Sequence, residues 1–401
     1  MVAGAFAATV SCVVRMALGG TTSYDASLET IGRLRTQVAT EGVLKELELD
    51  PRLGLGWVDG RDELGAAYHP RLLLQQEDSE LQVLHQASLT GARQLDGRWR
   101  ATASLNGSYG TTDLFLLTVP VAGTSQTTPP PSTTGSTAPP TAQPIQPVPS
   151  LARLKYVSGE ATVQVVGASL GRFRLIGNLT AGIAGGADPV ARASLPLERS
   201  GSLASTLEWI ASGLDVFATD VGVTLTSFET GITDGYALAT ETWRHALSPD
   251  VQFRLGAGPA VTIQNAAGQT TWGFGPAGGV AVHDHYLTTL DLDLGVLATP
   301  LVDRVSGNVY DRADATAVAT WHPAAAWTAA LTGTAGIVLQ GPDEGDEIAA
   351  GDLRVGWMAS PHFGVTIGAS GLTQRPHAAG AGTLKEGSVY VDLVVREAGQ
   401  F

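Results

Sequence analysis

The sequence predicts an all-β protein: a single transmembrane, antiparallel, up-and-down β-barrel of about 18 strands, with 16 as the other count a weak first hairpin allows. Three observations point there. Only 15% of the 401 residues are charged and 44% are hydrophobic, whereas roughly 25% are charged in an average soluble protein. No run of about 18 apolar residues exists to build a membrane helix. The dominant apolar period is two, the period of a strand with one face in lipid and one in water.

Residues 1–20 are apolar and small, like the core of a secretory signal, although Arg15 follows that core instead of preceding it. Residues 21–401 then form the expected barrel. Eighteen segments carry strand patterning: 24–38, 43–57, 62–76, 82–95, 98–115, 153–169, 172–185, 201–211, 214–228, 234–247, 250–265, 270–284, 285–300, 308–322, 325–340, 348–359, 362–374 and 385–397. Phe217, Val221, Val223 and Leu225 alternate with Ala218, Asp220, Gly222 and Thr224; Tyr286, Leu290, Leu292 and Leu294 alternate with Asp291, Asp293 and Gly295. Many segments are long for a soluble sandwich, where five or six residues are usual. In the first hairpin Pro51 interrupts the alternation and suggests a bulge or an edge.

Connections alternate in character. One set is tight, as at Asp59-Gly60-Arg61, Asp96-Gly97-Arg98 and Leu170-Gly171-Arg172. The other set holds the longer ones: 116–152, 186–200, 341–347 and 375–384. Tight turns on one side and long loops on the other are expected of outer-membrane barrels, the tight ones periplasmic. Segment 120–149 holds nine Pro and ten Ser or Thr and no charge. It cannot build a core. Within a barrel, 116–152 reads as an extracellular loop; the alternative is an interdomain linker.

Large aromatics flank the tight turns: Trp99, Phe173, Trp209, Phe217, Trp243, Phe253, Trp321, Trp327, Trp357 and Phe363. Repetition at one end of each hairpin is expected of an interfacial girdle on the periplasmic side. Charges in a barrel wall belong in the wet interior, because one facing mid-bilayer costs about 2–4 kcal/mol. On that ground Glu160, Asp220, Glu241, Asp291, Asp293, Arg100, Arg174, Arg254, Arg312 and Arg354 are expected to face the lumen. Glu46, Glu48, Arg33, Arg35, Asp314 and Asp392 join them.

Nothing in the sequence forms a convincing catalytic, cofactor or metal constellation. Gly167-Ala168-Ser169-Leu170-Gly171 matches a nucleophile elbow in letters only, since strand follows strand there. Gly273 to Gly278 matches a dinucleotide fingerprint without its helix, and Pro276 would disrupt the turn. His283-Asp284-His285 could ligate a metal, but reads as an interfacial turn beside Tyr286. Asp343 to Glu347 reads as a solvated acidic loop. A lone cysteine, Cys12, excludes a disulfide framework. The net charge of −14 argues against nucleic acid as a partner.

Two stretches carry a resemblance. Asp50-Pro51-Arg52 through Tyr68-His69-Pro70-Arg71-Leu72-Leu73-Leu74, then Leu84-His85-Gln86-Ala87 through Leu95-Asp96-Gly97-Arg98-Trp99, resemble myxobacterial outer-membrane β-barrels. Some of that group resemble the 18-stranded barrels of polysaccharide export. The resemblance implies residence in the bacterial outer membrane, among lipid and lipopolysaccharide, after delivery by the barrel-assembly machinery. It implies a conduit for secreted polysaccharide working with a short periplasmic export protein. The other readings are a weakly cation-preferring diffusion porin and a non-transport surface or adhesion barrel.

Overall fold

A computed structural model describes residues 20–400 apart from 38–41, 77, 114–152, 170, 267, 287–288, 305, 342–343 and 377–382. The N-terminal segment with Cys12, the whole of loop 116–152, Asp343 and Phe401 therefore lie outside the described residues.

The described chain is almost entirely strand. In order the elements are β1 (Thr21–Gln37), β2 (Gly42–Asp59), β3 (Asp62–Tyr68), β4 (Arg71–Gln75), β5 (Asp78–Gln94), β6 (Trp99–Asp113), β7 (Arg153–Ser169), β8 (Phe173–Gly186), α1 (Pro189–Ser194), β9 (Glu198–Ile210), β10 (Asp215–Phe228), β11 (Thr233–Ala246), β12 (Val251–Ala266), β13 (Gln269–Tyr286), β14 (Leu290–Val302), β15 (Val309–Ala324), β16 (Trp327–Gln340), β17 (Glu347–Ser360), β18 (Phe363–Arg375) and β19 (Leu384–Gln400). Every pairing is antiparallel, between sequence neighbours apart from β2 with β4 and β3 with β5, and β1 pairs β19 from Ser23–Gln400 to Gln37–Glu386. The sheet is thus a closed ring without edges, which in lipid satisfies all backbone donors and acceptors. Because β3 and β4 are two pieces of one stave, the ring has 18 staves and not 16.

The break between β3 and β4 corrects the expectation for the first hairpin. Pro51 sits inside an unbroken β1–β2 register, opposite Leu28. On its other side, Leu53 pairs with Tyr68 and Leu49 with Leu72, which sets Pro51 opposite Pro70. Two facing residues without an N–H leave no donor for a rung, so the stave breaks at His69-Pro70. Another boundary shifts at the segments ending at 284 and beginning at 285. β13 runs on to Tyr286, and His283 and His285 pair with Asp293 and Asp291 of β14.

The tight turns hold themselves by side-chain-to-backbone bonds. The Asp96 carboxylate accepts from the N–H groups of Arg98 (2.7 Å) and Trp99 (2.8 Å). These bonds hold its carboxyl below the ordinary carboxylate value. Ser212 Oγ accepts from Leu214 and Asp215, and Ser248 Oγ from Asp250 and Val251. Such bonds offer the chain a reversal that does not depend on tertiary packing. At Asp59-Gly60-Arg61 the two-residue reversal needs Gly60 at φ 55°.

Candidate functional site

Alternation along each strand separates two faces. The outer face carries the exposed large hydrophobics, among them Leu105, Val163, Leu203, Val221, Leu353 and Val389. The inner face carries the polar groups, and its two sides differ.

On one side the inner face is packed. Arg33 lies 3.5 Å from Glu46 and 3.3 Å from Glu48. Arg35 lies 3.6 Å from Glu46 and 3.1 Å from Glu386, Arg71 contacts Glu48, and Gln75 donates to Glu46 at 2.6 Å. Three arginines and three glutamates from β1, β2, β4 and β19 thus form one neutral, nearly fully buried network. Removal from water costs several kcal/mol per ion, so such groups persist only when each finds opposite charge. Neighbouring strands extend the packing: Tyr390 donates to Asp352 at 2.8 Å, Ser370 and Ser388 share a hydrogen bond, and Arg312 binds Asp314 at 3.0 Å.

On the other side, β6 to β10, the inner face is open to solvent along its middle. It presents Ser104, Asn106, Ser108, Ser158, Thr162, Gln164, Asn178, Thr180, Ser200 and Ser202, all part-exposed. Their bonds are short-range ladders between neighbouring strands: Ser108–Ser158 at 2.6 Å, Thr162–Thr180 at 3.3 Å and Gln164–Asn178 at 3.0 Å. Ion pairs on this side lie near the tight-turn end, apart from Arg304 with Glu198 at 3.0 Å at the loop end. Arg100 binds Glu63 at 2.8 Å, and Glu208 contacts both Arg174 and Arg244.

The connection after β8 folds inward at the long-loop end. Asp188 caps α1, its carboxylate accepting from Ala191 N–H, with Pro189 in the first turn. Ala191 and Leu195 then join one buried cluster with Leu84 of β5, Leu154 and Tyr156 of β7, Ile348 of β17 and Leu372 of β18. β5 and β7 are far around the ring from β17 and β18, so the cluster reaches across this end of the barrel.

The residues singled out from sequence fall as follows. Glu160, Asp220, Asp291, Asp293, Arg100, Arg174, Arg254, Arg312 and Arg354 lie on the inner face by register. Glu241 does not. It pairs with Thr219, whose hydroxyl donates to it at 2.7 Å, on the outer face beside Phe217 and Trp243. Its charge suggested the interior; its parity with Trp243 decides otherwise. The ten aromatics all lie on the outer face at the tight-turn end. Phe173, Trp209, Phe217 and Trp243 follow one another across four strands in direct register. Trp209–Phe217 centroids lie 5.6 Å apart, Trp243–Phe253 6.1 Å and Trp327–Trp357 6.3 Å.

Sequence reasoning missed Arg71, Glu208, Arg244 and Glu386, whose roles depend on strand register, and α1, for which Asp188-Pro189 is a legible start signal. It also missed the highly exposed outer pair Trp272 and Phe274 at the loop end.

A closed ring of 18 antiparallel staves, apolar outside and polar inside, defines an outer-membrane β-barrel. The chain belongs to the EpsX exopolysaccharide export family, whose profile matches residues 20–399. Among solved structures it is similar to the FrpB iron transporter of Neisseria meningitidis. The F5-1 variant aligns at 7% identity and TM-score 0.51 over 89% of this chain, which spans 64% of that one. The F3-3 variant aligns at 7% identity and TM-score 0.51, over 91% of this chain and 64% of its own. The outer membrane protein OpdK of Pseudomonas aeruginosa aligns at 9% identity and TM-score 0.47, over 94% and 99% of the two chains. Identities this low speak for the fold alone. No curated protein matches the sequence.

Proposed function

We propose that the barrel is the outer-membrane conduit through which its cell exports a polysaccharide, loaded from the periplasm by a short export protein. The observation that carries this reading is a closed barrel, in an export family, with a solvent-accessible polar wall inside. The tight-turn end would face the periplasm, with the outer row of aromatics at the bilayer interface. Eight of the nine inner charges named above would then line a hydrated lumen, Arg312 being buried against Asp314. A clean deletion strain tests the reading. Loss of surface polysaccharide, restored by the wild-type gene, is the expected result; unchanged polysaccharide would sink it. A diffusion porin is the second reading, favoured by the same open wall, and would leave polysaccharide intact while conducting ions in a planar bilayer.

A further inference from the structure

We propose that the polymer's path is eccentric: it runs along the inner wall of β6 to β10, and the carboxylates of Glu160 and Asp220 on that wall select an uncharged, hydroxyl-rich glycan against a polyanionic one. The proposal rests on the conduit reading above and adds where the chain passes and what chemistry it has.

From β15 through β19 to β1, β2 and β4, inner side chains are buried in ion pairs and hydrogen bonds over the loop-side half of the wall. The six-residue ion network leaves no charge free to meet a ligand. Across the barrel, the middle inner residues of β6 to β10 are solvent-accessible, Glu160 among them, up to the buried rim of Thr112, Leu154, Tyr156, Glu198 and Thr226 at the loop end. A path through the barrel follows the accessible wall.

The chemistry of that wall then limits what slides on it. Between Arg100 and Arg174 near the tight-turn end and α1 at the loop end, the described inner side chains of β6 to β10 include no Lys or Arg. They are hydroxyls, amides and small residues that exchange hydrogen bonds with one another at modest cost. A glycan hydroxyl can replace any of these partners, donating and accepting alike. The charges at mid-wall are both negative. Asp220 accepts from Thr206 at 2.6 Å and Thr242 at 3.3 Å, which fixes its carboxylate in place. Glu160 makes no ion pair among the described residues. Two carboxylates in a confined channel, Asp220 held by Thr206 and Thr242 and Glu160 open to solvent, accept sugar hydroxyls and repel uronates or other polyanions.

The test uses the full chain, purified in detergent with Cys12 replaced by Ser and placed in planar bilayers. Cellohexaose and hexagalacturonate serve as probes of equal length. We expect preference for K+ over Cl−, reversible current block by cellohexaose, and none by hexagalacturonate. In the Glu160→Gln/Asp220→Asn double variant the cation preference is lost and hexagalacturonate blocks as cellohexaose does. A charged thiol reagent added to Asn178→Cys lowers conductance, whereas Ser370→Cys on the packed side does not react. Equal block by both sugars in the wild type, reaction at Ser370→Cys alone, or no conductance would each overturn the proposal. The polysaccharide phenotype of the deletion strain is read separately. Normal export there overturns the conduit and leaves the bilayer selectivity as a property of a porin, whereas lost export with unselective block overturns this path alone.

Discussion

The two inner walls of this barrel solve the same problem in opposite ways. Both must place polar groups inside a ring whose outside is apolar. The wall from β15 through β1 to β4 uses long charged side chains, which reach one another across strands and lock in neutral networks such as Arg33, Arg35, Arg71 with Glu46, Glu48 and Glu386. The wall from β6 to β10 uses short hydroxyls and amides that reach only the next strand. Side-chain length thus decides which part of the interior is filled and which stays wet. The first wall is a core in the sense of stability, although little of it is hydrophobic; the second is a surface that happens to be inside.

Substitutions of similar size should therefore have unequal effects on the two sides. The largest belongs to Arg35→Ala, which removes the buried ion pair of Glu386 and leaves Glu46 with Arg33 alone. Loss of one partner of a buried pair costs about 3–5 kcal/mol, so the folded band on a heat-modifiability gel should unfold at a markedly lower temperature. A shift no larger than that of a surface variant would break the contrast. Leu195→Ala comes next, because it removes the side chain just past α1 that ties β5 and β7 to β17 and β18. Leu→Ala in a core costs about 2–5 kcal/mol, and the low end applies at this rim; limited proteolysis between residues 187 and 197 should accelerate. Glu241→Leu should act the other way. Its carboxylate faces outward one step inside Trp243, where a charge costs at most about 1 kcal/mol, and urea unfolding in lipid vesicles should show a gain of that order. Ser202→Ala on the open wall should change stability by no more than about 0.5 kcal/mol, measured in the same assay.

Most of the fold was legible before any coordinates. Strand period, tight turns and flanking aromatics are local signals, and they placed each of the 18 staves to within a few residues. What was not legible depends on register between strands distant in sequence. Glu241 reads as an interior charge until its pairing with Thr219 puts it beside Trp243. His283 and His285 read as a turn until Asp293 and Asp291 are seen opposite them. Pro51 reads as the irregularity, yet the stave breaks at Pro70, since only the facing pair lacks both donors. The candidate site was less legible still. Charge alone collected most inner residues, but nothing along the chain tells a network from a row of solvated groups.

The seam between β1 and β19 joins the two sequence ends of the ring. Arg35 of β1 meets Glu386 of β19 there, while Arg33 and Arg35 also hold Glu46 and Glu48 of β2. An open, half-inserted sheet has both arginines and the β2 glutamates, but their last partner is still absent. Neutrality on this wall is reached only when the first strand finds the last. The network therefore fastens the seam itself, since its charges balance only where β1 and β19 are paired.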